Sequence, residues 1–125
     1  MEVVEGTVKR IFAIYVVVII LQSLVPLGNS VRLDKIFVFD FRADHIVHVL
    51  LFIPWAYFCI KLNKNLPLWL LWGIMFAIVS EGLQYWLSYR SFNISDMLAN
   101  VIGVVAGFFI FIPLLKLKSN DEPTT

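Results

Sequence analysis

Hydrophobic residues fall into four long runs separated by short polar stretches. The runs extend from Ile11 to about Leu27, from about Asp44 to Ile60, from about Leu66 to Leu87 and from about Met97 to Leu115. Each is roughly 17–22 residues, close to the ~20 that a helix needs to cross a ~30 Å hydrocarbon core. The period-2 alternation of a membrane β-barrel is missing, and an open sheet cannot satisfy its backbone in lipid. The pattern therefore predicts an all-α fold, a bundle of four transmembrane helices in one domain over residues 1–118, followed by a polar tail at 119–125. No internal repeat is visible. Lys9 and Arg10 ahead of Ile11–Leu21 resemble the start of a signal peptide, but Ser23–Gly28 carries no small-residue cleavage site, so the first run is read as a retained helix.

Composition strengthens the membrane assignment. Hydrophobic residues make up 60% of the 125 positions and charged residues only 15%. A soluble domain of this size exposes too much surface to hide that many apolar side chains. The net charge of +1 leaves no basic field for nucleic acid. There is no dinucleotide-binding or P-loop glycine motif, and Cys59 is the only cysteine, which excludes a disulfide scaffold and a CxxC metal site. Basic residues set the orientation. Lys9, Arg10, Lys61, Lys64, Lys116 and Lys118 flank one side of the predicted bundle; Arg32, Lys35, Arg42 and Arg90 are spread over the other. Both termini are thus expected in the cytoplasm, with 28–43 and 88–95 outside.

The polar residues inside or beside the spans carry the functional signal, because a charged group in lipid is costly and usually faces protein or water. Helix 2 opens with Asp44, His45 and His48. Asp44 and His48, four apart, share a face, and His45 lies about 100° away and is expected to face headgroups. Helix 3 carries Glu81 and Gln84; Glu81 is about 22 Å along the helix from Leu66 at 1.5 Å per residue, in the outer part of the bilayer. Helix 4 opens with Asp96 and continues Asn100, Gly103 and Gly107 in one stripe whose glycines suit close helix packing. With the topology above, Asp44, His48, Glu81, Gln84, Arg90, Asp96 and Asn100 converge on the outer end, and Gln22 can join them.

Plainer roles compete with a binding site. Asp44 and Asp96 stand where N-caps would, although Asn93 or Ser95 can cap helix 4 instead and release Asp96. His48 can be a hydrogen-bonded structural histidine, and Glu81 can pair with Arg90. Glu81 is the hardest to explain by capping, because it lies deep in its helix. The residue types include metal ligands, and His45 and His48 are three apart, but there is no HExxH motif; no metal and no cofactor is expected. No serine has a nucleophile-elbow context, so a Ser-His-Asp triad is not expected either.

These motifs resemble the VanZ-like family of small bacterial membrane proteins. The matching positions are Asp44 and His48, then Glu81 and Gln84, then Arg90, then Asp96, Asn100, Gly103 and Gly107, in the family's order and spacing. The departures are His45, where the family usually has Lys; Phe52, where Tyr is common; Ser88-Tyr89, in place of a Pro-Gly turn; and Asn93, where Asp is frequent. The resemblance implies a multi-pass protein of the bacterial plasma (inner) membrane. The family's founding member is associated with resistance to the glycopeptide teicoplanin. Two functions are weighed. The preferred one is a binder or modulator of an envelope lipid or cell-wall component, with membrane lipids as partners and Arg90 suited to an anion. The alternative is an intramembrane enzyme acting on an envelope lipid precursor, with His48 or Glu81 as general acid/base and Asp44 orienting His48.

Overall fold

The computed structural model describes residues 2–24, 37–38, 41–62, 64–87 and 93–120, and within these the side chains of all but 37–38, 41–44, 115 and 118–120. Helix α1 (Glu2–Leu24) starts well before the apolar run at Ile11. Glu2 and Glu5 in its first turn suit the positive end of the helix dipole, and Glu5 pairs with Lys9 one turn on at 2.6 Å. Lys9 holds the Glu5 carboxyl below the usual carboxylate range, with a smaller contribution from Lys64. Two short strands, β1 (Phe37–Val38) and β2 (Phe41–Arg42), pair antiparallel ahead of helix α2.

The helix expected over 44–60 is divided into α2 (Ala43–Phe52) and α3 (Pro54–Lys61). Pro54 is the cause: it has no N–H to give the Leu50 carbonyl. Ile53 nevertheless keeps helical angles (φ −56°, ψ −42°), and its N–H reaches the Val49 carbonyl at 3.3 Å, so the two pieces form one rod. Helix α4 (Leu66–Tyr85) is started by Asn65, whose side-chain oxygen accepts from the Leu68 N–H at 3.1 Å, with Pro67 in the first turn where its missing donor costs nothing. Helix α5 (Ile94–Asn120) is longer than the 97–115 expected. Asn93 is its cap, accepting from the Ser95 N–H at 3.0 Å.

The result is an all-α bundle of four helical rods. Phe12 of α1 packs on Phe58 and Trp55, while Tyr15 donates its hydroxyl to the Leu51 carbonyl at 2.6 Å; higher numbers on α1 meet lower numbers on α2–α3, so these rods are antiparallel. Gly103 and Gly107 lie against the carbonyls of Val49 and Ile53, which sets α2 and α5 parallel with backbones in contact. Trp55 and Trp69 lock α3 to α4: each indole N–H donates to the other residue's carbonyl, at 2.9 and 3.0 Å, and the rings stack with centroids 5.1 Å apart. The core gathers Ile19, Phe52, Ala56, Cys59, Ala77, Val104 and Phe108 between the rods.

The outer surface is as apolar as the core. Ile14 and Val17 of α1, Leu71, Trp72 and Met75 of α4, and Ile102, Phe109 and Ile110 of α5 are exposed. A continuous apolar exterior of this kind suits lipid as solvent. Helix α4 and residues Ile94–Leu114 of α5 are each long and apolar enough to cross a membrane.

Candidate functional site

The C-terminus of α1, the N-termini of α2 and α5 and the C-terminus of α4 share one end of the bundle. That end holds the buried polar side chains. On α2, His45 and His48 are three residues apart and therefore neighbours on the helix surface. On α5, Asn93 takes the capping position, so Asp96 is not needed as the cap and its side chain turns to α2. Asp96 Oδ1 lies 3.2 Å from His45 Nε2, and Asp96 Oδ2 lies 4.0 Å from His48 Nε2. One turn deeper, His48 Nδ1 and Asn100 Oδ1 are 2.8 Å apart. With the amide oxygen facing the ring, this contact is a hydrogen bond in the tautomer whose Nδ1 carries the proton and donates. Asn100 thereby orients the ring of His48 and favours that tautomer.

Helix α4 brings Ser80, Glu81 and Gln84 to the same end. They continue the buried stripe of Gly73 and Ala77, at the three- and four-residue steps of one helix face. This stripe faces α5: a Cβ on Gly73 would collide with Val104 and Trp55. Glu81 is 1% exposed and Gln84 5%, so both side chains are inside the bundle rather than in lipid. Ser80 donates to the Ala77 carbonyl at 3.0 Å, and on α1 Ser23 donates to the Ile19 carbonyl at 3.0 Å. These hydroxyls satisfy their own helices, which is how serine is tolerated there.

The histidine–aspartate group is not sealed. The side chains of His48, Asp96 and His45 are 11%, 14% and 25% exposed, a gradient that opens towards the end of the bundle. The chemistry available is a carboxylate flanked by two imidazoles, one of them hydrogen-bonded to an amide behind it.

Of the residues singled out from the sequence, His48 is hydrogen-bonded to Asn100 and lies 4.0 Å from Asp96, and Glu81 and Gln84 are buried at the same end. The backbone of Asp44 is the second residue of α2, but its side chain lies outside the described residues, as does Arg90 altogether. Gly103 and Gly107 bring α5 against α2 directly below Asn100. His45, expected to face headgroups, keeps a quarter of its side chain exposed at the open end and also lies 3.2 Å from Asp96, which sits between two side chains that are three apart on α2. The His45-x-x-His48 spacing carried that signal.

Residues 7–116, most of the chain, match the protein family described as VanZ/LLP1. No curated protein and no solved structure matches the chain. The family match, together with two helices of spanning length and an apolar exterior, marks a membrane protein.

Proposed function

The chain belongs to the VanZ/LLP1 family, and from that premise we propose that the polar end of its bundle recognises the headgroup of an envelope lipid or a lipid-linked cell-wall component. The observation that carries this is the placement of polar side chains from three rods at one end of an otherwise apolar bundle: His48, Glu81, Gln84 and Asn100 buried, and His45 and Asp96 half-buried. Desolvating that many polar groups opposes folding unless partners repay it, and the partly open His45–Asp96–His48 group lies where a lipid headgroup would sit.

The bias in basic residues supports one orientation. Lys9, Arg10, Lys61, Lys64 and Lys116 belong to the opposite end, so that end faces the cytoplasm with both termini and the polar end faces outward in a bacterial plasma membrane. A protein that holds an envelope headgroup on the outer face changes what a lipophilic glycopeptide meets there, and reduced sensitivity to teicoplanin is the cellular effect this function implies. One observation favours the enzymatic alternative: Asn100 engages Nδ1 of His48 and leaves Nε2 towards Asp96, an arrangement suited to a general base.

The test uses the purified full chain in lipid nanodiscs with lipid-linked cell-wall precursors. A binder retains the precursor unchanged, and His48→Gln or Asp96→Asn weakens retention; an enzyme releases a new product and His48→Gln abolishes it. Equal retention by wild type and both variants, with no product, contradicts the proposal.

A further inference from the structure

His48 Nε2 and Asp96 Oδ2 lie 4.0 Å apart at the open end of the bundle. In the neutral ring, donation from Nδ1 to Asn100 leaves the lone pair of Nε2 facing the carboxylate. The separation is beyond a direct hydrogen bond. In that tautomer both atoms accept, and one group with two N–H bonds can donate to both. We propose that these two atoms seat a primary ammonium carried on a lipid headgroup, a specificity that rests on the headgroup-binding function above and narrows it.

The geometry selects among headgroups. A nitrogen about 2.9 Å from both atoms would see them at an angle of roughly 90°, within reach of two N–H bonds of one ammonium. A hydroxyl has a single proton and would leave one of the two atoms facing a lone pair. A quaternary ammonium has no N–H to offer either. A phosphate or carboxylate would bring acceptors against acceptors. Charge points the same way. Helix α2 carries no Lys or Arg, and the first basic residue of α5 is Lys116, at the far end, so neither helix supplies a cation of its own to Asp96. The N-terminus of α5 favours anions, but Asp96 in its first turn already answers that dipole. His45 Nε2 lies on the other side of the carboxylate, 3.2 Å from Oδ1, so Oδ2 is the oxygen nearer His48.

The experiment compares phosphatidylethanolamine, phosphatidylcholine and phosphatidylglycerol of identical acyl chains, binding to the full-length protein in detergent by native mass spectrometry. Free ethanolamine and free choline serve as competitors. The primary ammonium is expected to bind at least about tenfold more tightly than the quaternary one, the scale of losing a charge-assisted hydrogen bond. Ethanolamine should compete and choline should not. Asp96→Asn should erase the preference. Because the contrast lies in the ligand, it is readable even if a variant folds poorly. Nitrogen-15 spectra of His48 provide a second readout: the Nδ1–H tautomer is expected, and an Nε2–H tautomer would overturn the proposal. Tighter binding of phosphatidylglycerol, or equal binding of ethanolamine and choline lipids, also overturns it. If that binding still depends on His48 and Asp96, the headgroup site survives and only its ammonium specificity is lost.

Discussion

Replacing Gly103 with alanine should damage both the fold and the site, and the structure sets the scale. An added Cβ at 103 would collide with the Val49 carbonyl oxygen and come within 2.9 Å of Phe52 Cβ. The obstacle is backbone, which cannot swing away as a side-chain end can. Restoring an ordinary contact of about 3.5 Å requires α2 and α5 to part by roughly 1 Å. Overpacking of this kind costs about 1–3 kcal/mol. The strain falls one turn below Asn100, so the same displacement stretches the 2.8 Å His48–Asn100 contact beyond hydrogen-bond length. Gly82→Ala is the matched control, since a Cβ there meets nothing within 4 Å. In that open helical position alanine should stabilise by about 0.5–1 kcal/mol. The assay is reversible unfolding of both variants in one detergent, beside nitrogen-15 spectra of His48. Opposite signs are expected, with the His48 resonance shifted only in Gly103→Ala. If Gly103→Ala is as stable as Gly82→Ala, the close approach of α2 and α5 is refuted.

Three further outcomes follow. Trp55→Phe removes the indole N–H that the Trp69 carbonyl accepts while keeping an aromatic ring, and should destabilise by about 1–3 kcal/mol, with Trp69→Phe similar and the double variant less than additive in a detergent melt. Asn65→Ala removes the cap of α4 and should cost about 1 kcal/mol, recovered in large part by Asn65→Asp. In a Cys59→Ala background, an impermeant thiol reagent added to whole cells should label a cysteine at position 29 or 91 but not one at 63 or 119; labelling at 63 reverses the orientation.

The rods were legible in the sequence because lipid demands long apolar runs, and these are conspicuous. Their ends were less so. Hydropathy cannot see the polar opening of α1, where Glu5 and Lys9 extend the helix without being apolar. Pro54 was visible, but whether a proline ends a helix or merely interrupts it depends on the rods around it; here Ile53 stays helical and the rod continues. At the site, equal depth of the polar residues could be counted along each helix, which brought His48, Asp96 and Asn100 to one level. Rotation about each axis could not be counted. His45 was therefore placed by its angle to Asp44 alone, and its nearness to Asp96 on another helix was not foreseen. The reciprocal Trp55–Trp69 hydrogen bonds had no sequence signature at all, because both acceptors are backbone carbonyls.

The central claim is that the end of the bundle holding His45, His48 and Asp96 is where a headgroup binds. Photo-crosslinking tests it most directly. Lipids bearing a photoreactive group on the headgroup would be activated with the full chain in a bilayer, and the labelled peptides mapped. The account predicts labels concentrated on the first turns of α2 and α5, lost when free headgroup competes. Labels spread evenly over both ends, or gathered at the Lys61–Lys64 and Lys116 end, would contradict it.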